Sequence, residues 1–243
     1  MKERPEKDRQ AEPQAESMRT FHSIYETAVL HKGGEAAVEA NLPKLRSPDQ
    51  LKQLTDDRYL SDISRRIFRA GLKHSMVDGK WPAFEEVFFG FDPYRVAMMS
   101  DEELEALTHE PRIIRHFGKI KAVRVNAVWV LDVAREYSSF GSMVADWPVE
   151  HIVDLWVLMK KQGTQLGGQS ASRFLRMVGK DGFLLTDDVV NVLKAEGIVD
   201  KLPTSKRDLQ KVQEAFNQWH AESGRPMAEI SRIISFTTNS DII

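Results

Sequence analysis

A glycine-containing turn between two predicted helices is the part of the sequence whose residue types and spacing point most directly to binding chemistry. The first helix is predicted to end at Gln162–Gly163, the turn contains Gly167 and Gly168, and the next helix begins at Gln169 or Ser170. Glycine has no Cβ atom, so its amide can approach a phosphate closely, and a helix start presents free N–H groups. The turn therefore predicts a site that binds nucleic-acid phosphates without reading base sequence.

Basic side chains on both sides of the turn strengthen this prediction, because each could displace a counterion from a phosphate. They are Lys160, Lys161, Arg173 and Arg176. The residues predicted to contact phosphate are Lys161, Gly163, Gly167, Gly168, Gln169 and Arg173. Two alternatives stay open: the segment could be an ordinary connection between helices with solvated lysines, and Gln169 could simply cap the second helix.

Helix signals run along the chain and would position this turn. Ser47 with Gln50 and Ser100 with Glu103 have the capping-box spacing, in which side chains satisfy amide groups at a helix start. Apolar residues recur at helical spacing over about 119–137, namely Ile120, Val123, Ala127, Val130, Leu131 and Ala134. Further helices are predicted over 150–161, 169–177, 187–196 and 205–222. The sequence has no paired strand signals joined by a hairpin turn, so the fold is predicted to be all-α.

Composition limits the possible classes of function. The 243 residues are 42% hydrophobic, which is enough for a core, and the net charge of −2 requires any nucleic-acid site to be a local basic patch. The absence of cysteine excludes disulfides, thiol catalysis and cysteine-bound zinc. Residues 1–18 are predicted to be a disordered polar tail, and residues 19–243 a single domain. Membrane-span and secretion signals are lacking, so a soluble cytoplasmic protein is expected.

Two stretches of the sequence match a known family. The first contains AGL at Ala70–Leu72, then FGFDPYRVAMMSDEELEAL and RIIRHFGKIKAVRVNA, and the second is LMKKQGTQLGGQSASRFLRMVGKDGFLLTDDVVNVL. Both resemble the DNA-3-methyladenine glycosylase I family, which belongs to the helix-hairpin-helix DNA glycosylases. The resemblance implies a two-lobed all-α fold. Residues of about 100–177 would form the lobe with the hairpin, and the N- and C-terminal helices would form the other.

The same resemblance implies hydrolysis of the N-glycosidic bond of an alkylated purine such as 3-methyladenine, after the base is flipped out of double-stranded DNA. Such a base is cationic and leaves easily. The enzyme then has to supply a selective pocket, a carboxylate that stabilises the sugar cation, and a positioned water. We expect a monofunctional bacterial enzyme that acts as a monomer, needs no cofactor, and is nucleoid-associated when on DNA.

Asp187 and Asp188 are the candidate carboxylates. Many helix-hairpin-helix glycosylases have an aspartate a short distance past the hairpin, followed by buried residues three and six positions later. Asp187 fits that register, with Val190 and Leu193, whereas Asp188 directly precedes the Val-Val pair. The alternative is that both residues only begin a helix, where acidic side chains are favoured.

The implied base pocket departs from the family pattern. A family glutamate proposed to contact the base is replaced by Arg66, and a tryptophan that stacks on the flipped base is replaced by His74. Phe68 and His74 flank the AGL segment, so we predict a pocket of Arg66, Phe68 and His74, with core packing of Phe68 or simple exposure of His74 as alternatives. The family's zinc-binding cysteines are absent and its histidine ligand is replaced by Asp188, so no structural zinc is expected.

Two other classes of function remain as alternatives. A DNA-binding protein on the same scaffold could have lost the chemistry, consistent with Arg66 and His74, and it would bind alkylated or abasic DNA without releasing bases. A non-catalytic helical interaction protein would show no salt-sensitive DNA binding.

Overall fold

The computed structural model describes residues 18–238, and within this range the chain forms fourteen α-helices, three short 3₁₀ turns and no strand. The α-helices are α1 (Phe21–Lys32), α2 (Glu35–Glu39), α3 (Pro48–Gln53), α4 (Asp56–Arg69), α5 (His74–Val87), α6 (Pro93–Ala97), α7 (Asp101–Ala106), α8 (Phe117–Tyr137), α9 (Phe140–Asp146), α10 (Ile152–Gln162), α11 (Ser170–Met177), α12 (Asp187–Ala195), α13 (Lys206–Ser223) and α14 (Met227–Ser235). The predicted all-α fold is confirmed.

Both predicted capping boxes form. The Ser47 hydroxyl accepts from the Gln50 amide while the Gln50 side chain accepts from the Ser47 amide, and Ser100 and Glu103 make the same reciprocal pair. Helices α3 and α7 therefore begin where the sequence predicts, because the amide groups left free at each start are satisfied locally.

Helix α8 lies at the centre of one group of packed helices. Four residues of its predicted apolar stripe are buried, namely Ile120, Val123, Ala127 and Val130. Leu131 and Ala134 are only half-buried, whereas Trp129 and Val133 are buried, so the packed face is wider than the predicted one. Helices α4, α6, α7 and α9 all pack against α8, and this explains its wide buried face.

Helices from distant parts of the chain pack together. Helix α1 contacts α2, α13 and α14, and α12 contacts α14, so N-terminal and C-terminal helices pack together. Helix α4 packs against α8 and α11, and α3 packs against α9, so the helices around the hairpin include segments before residue 100. Helix α10 contacts both α11 and α13 and connects the two groups.

The contact between α3 and α9 depends on a glycine. A Cβ atom on Gly141 would lie 2.6 Å from the carbonyl oxygen of Leu51 and 3.0 Å from the ring of Tyr59. The Tyr59 hydroxyl donates to the same Leu51 carbonyl at 2.8 Å. The two helices therefore approach at a distance that only glycine allows.

The expected disordered tail, residues 1–18, lies outside the described residues except for Met18. Met18 packs against the core, and the backbone of the next residue, Arg19, bonds to Glu196 and Trp219. The order of the chain at residue 18 thus reflects contacts with α12 and α13. Among the described helices, none combines the length and apolar character that crossing a membrane would require.

Candidate nucleic-acid interface and base pocket

The turn between α10 and α11 has the geometry that the sequence predicts. Helix α10 ends at Gln162 and α11 begins at Ser170. Gln165 and Gly168 have positive φ angles of 59° and 57°. Gly168 is exposed, and a Cβ atom there would meet no atom within 4 Å. The turn therefore leaves its backbone open on the side where a phosphate could approach.

Gly163 has a packing role that the sequence analysis did not predict. A Cβ atom at this position would lie 2.7 Å from Leu166, 2.9 Å from the Met159 carbonyl oxygen and 3.1 Å from Trp129. Its amide donates to that Met159 carbonyl at 2.9 Å. Gly163 thus allows the turn to pack closely on α8, and its amide is occupied in ending α10.

Asn126 on α8 holds the turn between α10 and α11 through two hydrogen bonds. Its side chain is fully buried, its Nδ2 donates to the Thr164 carbonyl at 3.0 Å, and its Oδ1 accepts from the Thr164 amide at 2.8 Å. Trp129 Nε1 also donates to the Gln162 side chain at 3.1 Å. The sequence analysis missed Asn126, although a polar residue within the apolar stripe of α8 was a detectable signal.

Replacing Asn126 with alanine is expected to lower the free energy of unfolding by about 2–3 kcal/mol, because a fully buried side chain is lost and the half-buried amide and carbonyl of Thr164 lose their partners. Urea unfolding would measure the change. Ser64→Ala is the matched control, since the Ser64 hydroxyl is buried without a hydrogen bond and its removal should be neutral or stabilising. Equal stability of Asn126→Ala and wild type would contradict the assigned role.

Gln169 connects the turn to the first turn of α11. Its side-chain oxygen accepts from Arg173 Nε at 3.2 Å and from Arg173 Nη2 at 3.0 Å, and it makes no capping bond. Gln169 occupies the N-cap position of α11, but its side chain makes no hydrogen bond to the amides of that helix start. Gln169 orients Arg173 instead, while Lys161 is exposed beside the turn.

Helix α4 carries arginines on two faces with different surroundings. On the face toward α5, Arg65 and Arg69 pair with Asp78 at 3.1 and 2.7 Å, and Arg58 pairs with Glu85 at 2.8 Å. These arginines are neutralised within the protein. Their role is to hold α4 against α5.

Arg66 lies on another face of α4 and is buried, with 9% of its surface exposed. Its Nε has no hydrogen-bond partner, and no ion pair joins it to a carboxylate of residues 18–238. Burial lowers the pKa of its guanidinium, and the positive charges of Arg173 and Arg69 lower that pKa further. The pKa of Lys119 is lowered by burial and then by Arg66. We call Arg66, Lys119 and Arg173 the cationic cluster.

Lys119 joins this cluster to the AGL segment. Its Nζ donates to the carbonyl oxygens of Ala70 at 2.8 Å and Phe68 at 3.3 Å, at the end of α4. Phe68, a predicted pocket residue, is fully buried, with its ring centroid 4.5 Å from that of Phe84, and this packing favours the alternative of a core role. His74, the first residue of α5, is exposed.

The two predicted carboxylates begin α12, whose cap is Thr186. Asp187 is exposed, and the register residues Val190 and Leu193 are buried as predicted. Asp188 lines a cavity of about 300 Å³ and accepts from the Thr238 hydroxyl at 2.9 Å.

That cavity also contains Arg176 and Arg232, but none of the three predicted base-pocket residues lines it. Arg173 is in the first turn of α11 and Arg176 in the last. The structure therefore brings Arg66 together with the hairpin, whereas the cavity of Asp188 adjoins the other end of α11.

Asp62 is a carboxylate that the sequence analysis missed. It is half-buried on α4, one turn before Arg66, and it has no hydrogen bond or ion pair within the described part of the chain. Burial raises its pKa, although arginines nearby, first Arg65 and Arg46, act in the opposite direction. Asp62 is the one acidic residue between Arg58 and Arg69, a stretch rich in arginine, and this was the signal available in the sequence.

The segment that precedes α3 passes near both Asp188 and Asp62. Asn41 and Pro43 line the cavity of Asp188, and Arg46, whose charge acts on Asp62, bonds to the backbone at the end of α11. Acidic groups on α4 and α12 thus flank one connecting segment.

A family model described as methyladenine glycosylase matches residues 52–203, which is more than half of the chain. The chain belongs to the methyladenine glycosylase family. The matched range includes α4, the hairpin and the start of α12, whereas α1, α2, α13 and α14 lie outside it.

Individual relatives agree with this membership. DNA-3-methyladenine glycosylase 1 of Escherichia coli is 37% identical over 76 residues, which are 31% of this chain and 41% of that protein. The alignment thus spans about two fifths of that relative's length.

Two solved structures share the fold of this methyladenine glycosylase family member. The 8-oxoguanine DNA glycosylase of Methanocaldococcus jannaschii has a TM-score of 0.53 at 14% identity, over 86% of this chain and 91% of that chain. The same enzyme in complex with a DNA 15mer containing 8-oxoguanine has a TM-score of 0.50 at 15% identity, over 91% of this chain and 99% of that chain. Both support the helix-hairpin-helix glycosylase architecture.

Proposed function

We propose that this protein is a monofunctional base-excision-repair DNA glycosylase that flips a damaged purine out of duplex DNA and hydrolyses its N-glycosidic bond. Family membership makes alkylated purines such as 3-methyladenine the first substrates to test. The M. jannaschii structure that shares the fold binds DNA, which is consistent with duplex DNA as the partner. We further propose a monomer that acts in the cytoplasm and associates with the nucleoid.

This proposal is supported mainly by the packing of the hairpin against the helix that contains the buried, unpaired Arg66. The open turn at Gly168 leads to Gln169, Gln169 orients Arg173 on α11, and α11 packs against α4, the helix of Arg66. A phosphate held at the turn would place the adjacent nucleotide beside the cationic cluster. Backbone binding and base contact could thus occur in one complex.

The chemistry requires a carboxylate that stabilises the positive charge developing on the sugar. The spacing of residues after the hairpin favours Asp187 for this role, and the adjacent Asp188 is the second candidate. Asp62, one turn before Arg66 in the sequence of α4, is a third candidate. Lys119 Nζ donates to the carbonyl oxygens of Ala70 and Phe68, so we propose direct attack by water rather than a covalent intermediate on a lysine.

The deciding experiment is chromatographic analysis of free bases released from methylated duplex DNA. Release of a damaged base by wild type, leaving an abasic site, supports a glycosylase. Tight binding of alkylated or abasic duplex without any release would replace the proposal by the alternative of a damaged-DNA-binding protein. Salt-insensitive or absent DNA binding would contradict both.

The hairpin makes a separate prediction about binding. The double variant Lys161→Glu/Arg173→Glu is expected to bind damaged and undamaged duplex about 10-fold more weakly or worse, because phosphate contacts carry no base information. The salt dependence of log Kd should also become less steep, by about two charges. Fluorescence anisotropy over a salt series would measure both quantities.

Lys211→Glu is the matched control for this variant. Lys211 is an exposed lysine on α13, outside the hairpin. Its charge reversal changes the net charge in the same sense without touching the proposed interface. If the double variant bound DNA with unchanged affinity, DNA would have to bind another face of the protein.

A further inference from the structure

A cavity of about 450 Å³ is lined by residues of α10, the hairpin turn and the start of α13. Its walls are mainly apolar and include Trp156, Leu166, Leu185, Leu202 and Leu209, and we call it the hairpin cavity. Leu202 keeps 44% of its surface exposed, so a ligand in the cavity would cover apolar surface that now faces water. This volume and lining are typical of sites that bind small molecules.

The hairpin cavity is distinct from the base pocket predicted from the sequence. None of Arg66, Phe68 and His74 lines it. Its wall at the start of α13 contains Thr204, Lys206 and Leu209, which lie beyond the range 52–203 that the family model matches. The cavity therefore depends on a segment of this chain that the family match does not include.

The charged side chains that line the hairpin cavity are cationic. They are Lys160 and Lys206, and no Asp or Glu of the described residues lines it. Lys206 makes only a long, exposed ion pair of 3.9 Å with Asp154, and none of the carboxylates in residues 18–238 pairs with Lys160. An anionic ligand would thus meet positive charge without a repelling carboxylate in the wall.

Trp156 adds a hydrogen-bond donor next to Lys160. Only 7% of its surface is exposed, and its Nε1 is buried without a hydrogen-bond partner. A buried N–H without a partner is costly, and an oxygen atom of a ligand would satisfy it. Trp156 and Lys160 are four residues apart on α10, so their side chains lie on the same face of that helix.

We propose that the hairpin cavity binds a small carboxylic acid with an aromatic or branched aliphatic body, and that its occupancy weakens DNA binding at the adjacent turn. The two carboxylate oxygens match the two donor groups, Trp156 Nε1 and Lys160 Nζ, and the apolar body packs against the leucines. The ligand site stands independently of the proposed function, whereas the effect on DNA rests on it.

The effect on DNA follows from residues that both ligands would use. Gly167, Gly168 and Gln169 line the cavity and also form the turn proposed to hold a phosphate. A Cβ atom on Gly167 would lie 3.8 to 4.0 Å from three carbon atoms of the Lys160 side chain, so the lysine stem runs beside the turn. A carboxylate that pairs with Lys160 removes a charge that a phosphate would otherwise meet, and the two affinities then oppose each other.

The test is isothermal titration calorimetry of the full chain with phenylpropionate, phenylpropanol and acetate. Phenylpropanol has the same body without the charge, and acetate has the head group without the body. Wild type is expected to bind phenylpropionate with a Kd below about 1 mM. Its affinity should exceed those of the other two probes by about tenfold or more, because only phenylpropionate fills the cavity and pairs with Lys160.

Variants separate the head-group contact from the cavity itself. Lys160→Gln is expected to bind phenylpropionate about tenfold more weakly while its affinity for phenylpropanol stays unchanged. Lys211→Gln is the matched control, since Lys211 is an exposed lysine of α13 that does not line the cavity. Thr204→Trp adds bulk at an exposed lining position, so it should abolish binding of both phenyl probes without lowering the melting temperature. Trp156→Phe removes the N–H donor, and its loss of affinity should be specific for phenylpropionate.

The DNA effect is measured by anisotropy with undamaged duplex. Phenylpropionate at about tenfold its Kd should raise the Kd of the duplex by about threefold or more in wild type and leave it unchanged in Thr204→Trp. Bound phenylpropionate without any effect on duplex affinity would overturn the link between the cavity and the turn.

The remaining outcomes decide the ligand site. Absence of phenylpropionate binding, equal binding of phenylpropanol, or full binding by Thr204→Trp would each overturn the carboxylate site. Failure of wild type to bind DNA at all would contradict the proposed function, and the calorimetry would still decide whether the cavity holds a carboxylate.

Discussion

Asp187→Asn is expected to reduce base release on the order of 10²-fold or more while DNA affinity stays close to that of wild type. Asparagine preserves the shape of the side chain and its hydrogen bonding but removes the negative charge that would stabilise the sugar cation, and loss of a preorganised charge-stabilising group has effects of this size. Asp187 is exposed at the start of α12, so the variant should fold normally. Single-turnover excision together with thermal unfolding would measure both effects.

Asp188→Asn and Asp62→Asn are the companion variants. Asp188 is held by Thr238, so its loss should mainly lower stability. If Asp62 were the acting carboxylate, its variant would show the large loss instead. Burial raises the pKa of Asp62, so the ionised form would appear only at higher pH than for an ordinary aspartate. Excision would then rise as pH increases through that raised pKa, and the rise would be absent in Asp62→Asn.

Wild-type rates in all three variants would remove these carboxylates from the mechanism. A lower melting temperature with normal turnover for Asp187→Asn would show that the residue only begins a helix. The pattern of rate and stability thus separates catalysis from capping for each aspartate.

Gly141→Ala is expected to lower the free energy of unfolding by about 3 kcal/mol or more. The added Cβ would lie 2.6 Å from the Leu51 carbonyl oxygen, a backbone atom that cannot rotate away. That carbonyl is also fixed by the Tyr59 hydroxyl, so relief of the clash requires either a broken hydrogen bond or a shift of α9 from α3. Urea unfolding would give the change.

Gly79→Ala is the control for this substitution. Gly79 lies within α5, is exposed, and a Cβ atom there meets nothing within 4 Å. Alanine should therefore stabilise the helix by about 0.5–1 kcal/mol. A Gly141→Ala variant as stable as Gly79→Ala would mean that the close approach of α3 and α9 can relax.

Local signals predicted the fold well. The capping boxes of α3 and α7 depend on side chains within a few residues of the helix terminus, so the sequence contains them directly. The full buried face of α8 was not predictable in the same way. Which of its residues are covered depends on where α4, α6 and α9 pack, and these contacts are distant in sequence.

The candidate site was predicted less completely for the same reason. The turn at Gly168 and the basic residues beside it are local, and their positions agree with the sequence analysis. The unpaired state of Arg66 depends on the ion pairs that other arginines of α4 make with α5, which no local pattern reveals. Asp62 was missed because its environment is built by Arg46 and other residues brought close only by the fold.

The two faces of α4 have a consequence for the rate at which the protein finds DNA. Arginines that pair with Asp78 or Glu85 would have to break an ion pair before they could meet a phosphate. Within residues 18–238 the cationic cluster has no ion pair to break, so its field acts on an approaching polyanion from the first encounter. Association should therefore proceed near the electrostatically steered limit and slow steeply with ionic strength, without a preceding internal rearrangement.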